Sequence, residues 1–271
     1  MTLQEAVKRL KDAGIESAEY DARELFIHFL GRQRAGILPK NESFENEELI
    51  HAVERREKRE PLQYIIGNVG FFRETYTVTP SVLIPRQDTE ILVEYAVNNI
   101  PENENVLDLC TGSGCIAIST LKNTKNTRAV AVDISGDALE VAIKNAQSNG
   151  VADRIRFIEH DLTSRESFTD ERFYAILSNP PYVAREAYET LEPEIFCEPE
   201  IAFVGENGGM AFYERLLPLS LSLLKEGGFI AYEIGFDQGE AIRALAHIHN
   251  CDCKIIKDYS SLDRVAVIKP R

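Results

Sequence analysis

The residues of this sequence that are best suited to chemistry are Asn179-Pro180-Pro181-Tyr182. They directly follow the apolar run 173–177, which predicts a buried strand. In open α/β sheets, ligands bind at the carboxyl ends of strands, where this motif would lie. The prolines remove two backbone donors, so an Asn amide oxygen, a free carbonyl and an aromatic face can together hold a planar NH2 group with its lone pair toward an electrophile. On these residues alone, a strand that ends in a proline-rich turn is an equal interpretation.

A glycine-rich loop, within 108–115, follows an earlier predicted strand. Gly112 and Gly114 permit a tight turn and a close approach of the backbone to a ligand, and the helix that follows offers free N–H groups. The spacing Gly112-x-Gly114-x-x-Ala117 also satisfies the dinucleotide-binding fingerprint. The next strand ends at Asp133, 21 residues after Gly112. An acidic residue there suits the ribose hydroxyls of NAD or of S-adenosylmethionine, so these residues alone leave the cofactor open.

A third predicted strand ends at His160-Asp161-Leu162. The Asp161 carboxylate can accept a hydrogen bond from the exocyclic amine of adenine, and Leu162 can pack on the base. The alternative is that Asp161 is a turn residue or a helix N-cap, which is the commoner role for a lone Asp.

The elements that carry these motifs alternate between strand and helix from residue 105 onward. Strands are predicted at 106–109, 128–132, 155–158, 173–177, 229–234, 254–257 and 264–268, and the helices between them at 115–121, 137–149, 212–224 and 238–248. This alternation predicts an α/β fold with a doubly wound, mostly parallel, seven-stranded sheet. No helix separates the last two strands, which predicts an antiparallel C-terminal hairpin, as is typical of class I (Rossmann-like) methyltransferases.

The chain is predicted to divide into a helical N-terminal domain at 1–66, a hairpin linker at 67–84 and the α/β domain at 85–271. Apolar residues follow helical spacing through the first 60 residues. The charged run 54–60 ends the third of these helices and is predicted to be a solvated helix face with i,i+4 pairs.

Composition places the chain among ordinary globular proteins: of 271 residues, 44% are hydrophobic and 27% are charged. No apolar run approaches the roughly 20 residues that span a bilayer, and the N-terminus does not resemble a signal peptide. Five cysteines without framework spacing predict reduced thiols and a cytoplasmic location. The net charge of −14 disfavours binding of bulk nucleic acid and suits a small-molecule or protein substrate.

Five segments together resemble the PrmC/HemK methyltransferases, which methylate the side-chain amide nitrogen of a glutamine in peptide chain release factors. The segments are Pro61 to Gly67, Leu83 to Glu90, Asp108 to Gly114, Asn179 to Tyr182, and Glu198-Pro199 with the downstream Gly208-Gly209. The resemblance covers the whole chain, including the helical domain. Two departures are Gln87, where the family usually has proline, and Leu162, where relatives can carry an aromatic residue.

The resemblance implies methyl transfer from S-adenosyl-L-methionine to the glutamine of the Gly-Gly-Gln motif of release factors, with S-adenosylhomocysteine as product and an effect on translation termination. Asn179 and Pro180 would accept the two N–H groups of the substrate amide, and Tyr182 would stack on its plane. The expected cofactor-binding residues are Asp108, Cys110, Thr111, Gly112, Ser113, Gly114, Asp133, Ile134, Asp161, Leu162 and Asn179. The expected substrate-binding residues are Asn179, Pro180, Pro181, Tyr182, Phe72, Arg86 and Glu90, with the cleft beside Phe71 and Phe72.

The expected partner is a release factor docked with help from the helical domain, and the enzyme is expected to be a monomer that binds neither membrane nor nucleic acid. An amino methyltransferase acting on a flipped base uses the same tetrapeptide but needs a basic groove. Residues 67–271 contain 19 Lys and Arg against 31 Asp and Glu, which disfavours that alternative. A non-catalytic binding protein of the same fold is disfavoured by the intact motifs.

Several other side chains invite a chemical role. His247, His249, Cys251 and Cys253 alternate as soft metal ligands can, but the first two are predicted to end a helix and the last two to begin a strand, so no metal is expected.

Cys110 and Cys115 flank the glycine-rich loop and are predicted to be packing residues rather than nucleophiles. Arg86 and Glu90, at i,i+4 spacing, can pair near the site or form a purely structural ion pair.

Overall fold

The computed structural model describes residues 1–31, 42–164 and 169–271 and separates into two compact units. A helical unit comprises Met1–Asn68 and Glu192–Cys197, and an α/β unit comprises Val69–Leu191 and Glu198–Arg271. Among the described residues, no helix is both long enough and apolar enough to cross a membrane.

The helical unit contains α1 (Leu3–Asp12), α2 (Ala18–Leu30), α3 (Glu47–Glu57) and α4 (Leu62–Ile66). α1 begins with a capping box, in which Thr2 Oγ1 accepts from the Glu5 N–H at 3.1 Å and the Thr2 N–H donates to Glu5 Oε2 at 2.8 Å. α4 is a short helix at the end of the predicted helical domain: Pro61 precedes its first turn, and Gly67, with φ of 81°, ends it. The apolar faces of the four helices share one core.

The charged run 54–60 is not the solvated helix face that the sequence suggested. Arg56 is 6% exposed; its guanidinium donates to Asp21 Oδ2 at 2.7 Å and to Glu194 Oε1 at 2.9 Å. Arg59 contacts the same Glu194 carboxylate at 2.9 Å. The expectation was wrong because the partners come from α2 and from residues 192–197, which i,i+4 spacing cannot reveal. These buried pairs stabilise the helical unit only while every charge keeps its partner.

The α/β unit is built on seven strands in the order β5-β4-β3-β6-β7-β9-β8. They are β3 (Asn105–Leu109), β4 (Arg128–Asp133), β5 (Ile155–Glu159), β6 (Phe173–Ser178), β7 (Leu224–Glu233), β8 (Cys251–Lys257) and β9 (Asp263–Pro270). The first five in this order are parallel, and β9 is antiparallel to both β7 and β8. The predicted fold class is therefore confirmed, including the antiparallel C-terminal hairpin.

Helices connect the strands and cover the sheet. They are α5 (Glu90–Asn99), α6 (Cys115–Asn123), α7 (Gly136–Ser148), α8 (Arg185–Tyr188), α9 (Ala211–Leu223) and α10 (Gly239–Ile248), with 3-10 turns at Gln87–Thr89, Ala152–Arg154 and Glu200–Ala202. A further 3-10 turn, Pro193–Cys197, belongs to the helical unit. Successive residues of β3 enter different hydrophobic clusters, Val106 one and Leu107 the other, because strand side chains alternate between faces.

A two-stranded sheet of β1 (Asn68–Phe71) and β2 (Glu74–Thr77) precedes the main sheet in the chain. Asn145 on α7 attaches it: its Oδ1 accepts from the Thr77 N–H at 2.7 Å, and its Nδ2 donates to the Thr77 carbonyl at 3.0 Å. The same Nδ2 donates to the Ser113 carbonyl at 2.9 Å, so one buried amide joins β2 to the glycine-rich loop.

Breaking the Arg56 network should destabilise the helical unit more than breaking an exposed pair. We expect Arg56→Met to lower the free energy of unfolding by roughly 3–5 kcal/mol, because two carboxylates lose their buried partner. Arg55→Met is the matched control: Arg55 pairs with Glu60, and both side chains are about one-third exposed. Its loss should cost at most about 1 kcal/mol. Urea denaturation of both variants checks this, and equal losses would contradict the assigned network.

Candidate active site

The sheet register brings the predicted motifs together at one edge. Leu109 on β3 pairs with Val132 on β4 and with Ser178 on β6. The next residue in each strand is therefore Cys110, Asp133 or Asn179, respectively. In the strand order β4-β3-β6, the chain adds β4 on one side of β3 and later adds β6 on the other side. Such a topological switch point opens a crevice for ligands at the carboxyl ends of the strands.

The glycine-rich loop turns sharply as it leaves β3. Cys110, Gly112 and Gly114 all have positive φ, at 58°, 54° and 82°. A Cβ added to Gly114 would lie 2.9 Å from Ile118 Cδ1 and 3.2 Å from Ala142 Cβ, so α6 and α7 leave room only for glycine. Steric packing as well as backbone conformation thus fixes this glycine.

Asp108 supports the loop from inside the protein and does not line a cavity. It is fully buried; its Oδ2 accepts from Thr111 Oγ1 at 2.6 Å and from the Ala117 N–H at 3.2 Å. Its Oδ1 is buried and has no hydrogen-bond partner in the described part of the chain. Burial raises the pKa of Asp108 to about 7, against the lowering effect of the Thr111 and Ala117 hydrogen bonds. Thr111 and Ser113 are buried beside it, so these predicted cofactor residues shape the loop.

Asp133 ties the end of β4 to the glycine-rich loop. Its Oδ2 accepts from the Gly112 N–H at 2.8 Å, and its Oδ1 accepts from the Ser135 N–H at 3.0 Å. Burial raises the pKa of Asp133, while the backbone hydrogen bonds of Ser135 and Gly112 lower it. The Gly112 N–H, which a pyrophosphate would use in a dinucleotide fold, already donates to a carboxylate. This arrangement disfavours a dinucleotide.

A cavity of about 620 Å³ opens at this edge, a volume typical of ligand pockets. Among its lining residues are eight that the sequence predicted: Cys110, Gly112, Asp133, Ile134, Asp161, Leu162, Asn179 and Pro181. The lining also contains Asp137, Glu206 and Arg215. Four carboxylates therefore face a single guanidinium, and the cavity favours a cationic ligand over a phosphate-bearing one.

At the end of β5, Asp161 makes a turn as well as lining the cavity. Its Oδ1 accepts from the Thr163 N–H at 2.8 Å, and these hydrogen bonds of Thr163 lower the pKa of the exposed carboxylate. The turn alternative is thus present. Leu162 is half-buried and lines the same cavity. The adenine contacts of both residues stay predictions.

Asn179 presents an unsatisfied oxygen at the cavity. Its Nδ2 donates to Thr89 Oγ1 at 3.3 Å, whereas no donor in residues 1–31, 42–164 or 169–271 reaches its Oδ1. The Pro180 carbonyl likewise has no donor within those ranges. Two free acceptors from consecutive residues can together bind one NH2 group.

Tyr182 does not line the cavity and instead anchors the motif. Its hydroxyl donates to Glu233 Oε1 at 3.1 Å, and its carbonyl accepts from Gln238 Nε2 at 3.1 Å. A Cβ on Gly209 would lie 2.0 Å from the Tyr182 carbonyl oxygen, and one on Gly205 would lie 2.6 Å from the Pro181 carbonyl oxygen. The glycines of the downstream segment therefore allow its backbone to pack directly on the motif.

The predicted i,i+4 contact of Arg86 with Glu90 does not form. Arg86 has extended backbone (φ −99°, ψ 144°), so helical spacing does not apply to it. It pairs with the buried Glu198, whose Oε2 also accepts from the Ile84 N–H at 2.9 Å. Glu90 Oε1 accepts from the Phe72 N–H at 2.8 Å. Each carboxylate therefore fixes a backbone segment, and neither Arg86 nor Glu90 lines the cavity.

The expected cleft beside the two phenylalanines lies elsewhere. Phe71 is 2% exposed within the core, and Phe72, with φ of 56°, packs against that core. The segment that lines the cavity is instead 80–83. Sequence reasoning also missed other lining residues, notably Phe212 and Arg215 on α9 and Ile201, which is 58% exposed. The i,i+3 spacing of the α9 pair was the one available signal.

The remaining candidates have structural surroundings. His247 lies on α10, which ends at Ile248, and His249 is its C-cap residue rather than a helix residue as predicted. Cys251 and Cys253 lie on β8, so the predicted separation of the histidines from the cysteines is present. In the described part of the chain, no group of three or more His, Cys, Asp or Glu residues could hold a metal ion. None of the five cysteines, all in the described part of the chain, forms a disulfide, and burial raises the pKa of the Cys115 thiol to about 12, which suits packing and not nucleophilic attack.

Comparison with known proteins agrees with this architecture. Residues 86–211 match the family described as Methyltransferase small domain, and residues 2–67 match the family described as PrmC N-terminal domain. A release factor glutamine methyltransferase of Geobacter sulfurreducens is 37% identical over 262 residues, which is 94% of this chain and 91% of the relative. One of Caulobacter vibrioides is 36% identical over 97% of this chain and 93% of the relative.

Solved structures support the fold alone. A methyltransferase from Pyrococcus furiosus superposes with a TM-score of 0.54 at 18% identity, over 71% of this chain and 86% of that one. A ribosomal protein L11 methylase from Lactobacillus delbrueckii subsp. bulgaricus superposes with a TM-score of 0.52 at 21% identity, over 72% and 84%.

The environment of Asp108 predicts a pH-dependent stability. Because its folded-state pKa, about 7, lies above the usual 3.8, the folded state binds its proton more tightly. The contribution of Asp108 to stability should therefore fall as pH rises from about 4 to about 7 and then level off. Asp108→Asn keeps the shape of the side chain and removes its titration. We therefore expect the free energy of unfolding of the wild type, relative to that of the variant, to fall by up to roughly 4 kcal/mol between pH 4 and pH 8. Unfolding curves across that range measure it; parallel curves would contradict the assignment.

Proposed function

The chain belongs to the release factor glutamine methyltransferase family, and on this basis we propose that it methylates the side-chain amide nitrogen of the glutamine in the Gly-Gly-Gln motif of a peptide chain release factor. The methyl donor is S-adenosyl-L-methionine and the second product is S-adenosylhomocysteine. The observation that carries the proposal is the pair of free acceptors, Asn179 Oδ1 and the Pro180 carbonyl, beside an acidic cavity. Methylation would modulate translation termination.

The cavity fits S-adenosylmethionine in charge and size. The cofactor supplies an electrophilic methyl group on a cationic sulfonium, and the carboxylates of Asp133, Asp137, Asp161 and Glu206 favour a cation there. Asp133 can accept from ribose hydroxyls while it orders the glycine-rich loop. Ile134, which is 48% exposed, and Leu162 offer apolar surface to the adenine.

The chain's own residues act by positioning the nucleophile. An amide nitrogen is a poor nucleophile because its lone pair is delocalised into the carbonyl. Asn179 Oδ1 and the Pro180 carbonyl accept its two N–H groups, which holds the amide plane and directs the nitrogen at the methyl group. The same two oxygens stabilise the positive charge that develops on nitrogen during transfer. No general base is required, since the methylated nitrogen is acidic and loses its proton afterwards.

A protein substrate fits the rest of the chain. Glycines flanking the target glutamine would let its backbone enter a cleft without side-chain clashes. The helical unit is proposed to dock the body of the release factor, and the enzyme is proposed to act as a cytoplasmic monomer. An acidic cavity opposes nucleic acid, because phosphate neutralisation supplies most of that affinity.

Two variants should separate cofactor binding from chemistry. Asp133→Ala is expected to weaken S-adenosylmethionine binding by roughly 1.5–3 kcal/mol, since it removes the ribose acceptor and also releases the Gly112 N–H. Asn179→Ala should abolish methyl transfer while most of the cofactor affinity remains. Calorimetry and single-turnover labelling measure the two effects. Near-normal turnover by Asn179→Ala, or tight NAD binding by the wild type, would refute the assignment.

The substrate class is tested by direct competition between three acceptors. Intact release factor, a Gly-Gly-Gln peptide and duplex DNA are incubated with equal enzyme and methyl-labelled S-adenosylmethionine. We expect strong labelling of the release factor, weak labelling of the peptide and no labelling of DNA. The peptide should be labelled weakly because a short flexible chain loses all of its conformational entropy on binding. Mass spectrometry then locates the added methyl group. Preferential labelling of DNA would overturn the proposal.

A further inference from the structure

A buried carboxylate behind the Asn179–Tyr182 motif has no part in the chemistry described above. Glu233 is 2% exposed and does not line the cavity. It follows Tyr232, which pairs in register with Ser178, so Glu233 and Asn179 leave adjacent parallel strands at the same level. The Glu233 side chain accepts two hydroxyl hydrogen bonds, from Thr89 Oγ1 at 2.6 Å and from Tyr182 at 3.1 Å.

We propose that Glu233 is a positioning residue that acts through Thr89 to set the orientation of the Asn179 side-chain amide, and so determines which end of that amide faces the substrate. This inference rests on the proposed function, because it explains how the nucleophile's acceptor is aimed. Glu233 itself touches no reacting atom.

The orientation follows from counting donors and acceptors. Each Glu233 carboxylate oxygen accepts one hydroxyl hydrogen bond, Oε2 from Thr89 and Oε1 from Tyr182, so the Thr89 hydroxyl donates its proton to Glu233. Its single proton is then committed, and toward Asn179 the Thr89 oxygen can only accept. The Asn179 atom that lies 3.3 Å from Thr89 must therefore be the NH2 group. The Asn179 oxygen is left at the other end of the amide, free to accept from the substrate.

Two hydroxyl donors, Thr89 and Tyr182, hold Glu233 as an acceptor, one on each carboxylate oxygen. Burial raises the pKa of Glu233, and the Thr89 hydroxyl, the positive charge of Arg264 and the Tyr182 hydroxyl offset only part of that rise. The Tyr213 hydroxyl donates to the Glu233 main-chain carbonyl at 2.7 Å and makes no hydrogen bond to the two side-chain oxygens, which accept from Thr89 and Tyr182. Thr89 is itself 2% exposed, so water cannot readily replace either partner in the chain Asn179–Thr89–Glu233.

Reversing the direction of the Asn179–Thr89–Glu233 hydrogen bonds would present the Asn179 NH2 group, instead of its oxygen, to the substrate. If Thr89 donated to Asn179, the amide would turn its oxygen toward Thr89 and its NH2 toward the cavity. Two NH2 groups would then face each other, and the substrate amide would lose one of its two acceptors. Such misorientation reduces turnover without changing the cofactor pocket.

The decisive comparison is Thr89→Val against Thr89→Ser in the full-length enzyme. Valine keeps the shape and removes the hydroxyl, so the Asn179 amide is released; we expect kcat on intact release factor to fall by roughly 100-fold. Serine keeps the hydroxyl and should restore kcat to near the wild-type value. The dissociation constant for S-adenosylmethionine, measured by calorimetry, should stay the same in both variants. A loss of kcat with serine equal to that with valine would overturn the proposal.

A double-mutant cycle tests that Glu233 acts through Thr89. Glu233→Gln introduces an NH2 donor, so the Thr89 hydroxyl can either donate to residue 233 or accept from it, and the Asn179 amide can take either orientation. In the otherwise wild-type enzyme, kcat should therefore fall. In the Thr89→Val background the same change should have little further effect on kcat. If the two substitutions reduced kcat independently, so that the double variant showed the product of the two single losses, Glu233 would not act through Thr89. The double variant also removes the carboxylate that Thr89→Val leaves short of a donor, so comparing the melting temperatures of the single and double variants shows whether a loss of kcat in Thr89→Val reflects poor folding.

Tyr213→Phe is the matched control, because it deletes a buried hydrogen bond to the main chain of the same Glu233. It should lower the melting temperature and leave kcat nearly unchanged. A loss of kcat equal to that of Thr89→Val would show a merely structural effect and overturn the proposal. Wild-type enzyme that labels no release factor would instead refute the proposed function, which separates the two failures.

Discussion

The parallel register of β3, β4 and β6 is the constraint on which the site depends. Because Leu109, Val132 and Ser178 are paired, the chain leaves all three strands at one level. The glycine-rich loop, the Asp133 turn and the proline motif therefore meet without any long-range signal between them. A slip of one residue would move an entire set of side chains to the opposite face, so the hydrophobic clusters on both faces protect the geometry of the edge.

Around this edge, acidic side chains serve as acceptors that hold backbone and hydroxyl groups in place. Asp133 binds two loop N–H groups, Glu198 binds the Ile84 N–H and Arg86, and Glu90 binds the Phe72 N–H. Burial raises the pKa of Asp133 and of Glu198, so each of these two carboxylates bears a desolvation cost that its donors offset. Part of the chain's acidity is therefore internal scaffolding and is not available to its partners.

The sequence predicted the elements well because their signals are local. Apolar runs and glycines defined the strands and the loop, and a short tetrapeptide indicated the candidate site. What it could not predict are contacts between distant residues. Arg86 was assigned to Glu90 by spacing, but its partner is Glu198, 112 positions away. The resemblance led us to expect the cleft beside Phe71 and Phe72, but Phe71 is buried in the core. Thr89 lies in the segment 83–90 that carries the resemblance, but no sequence signal relates it to Glu233, and only the fold brings the two residues to Asn179.

The return of the chain to the helical unit at Glu192–Cys197 affects how this architecture can be divided. The polypeptide passes between the units three times, after Asn68, after Leu191 and after Cys197. A cut near residue 68 would leave the helices without Glu194, which both Arg56 and Arg59 contact. Recombination between relatives must therefore exchange this six-residue insertion together with the N-terminal helices. The unit of inheritance is discontinuous in sequence although it is continuous in space.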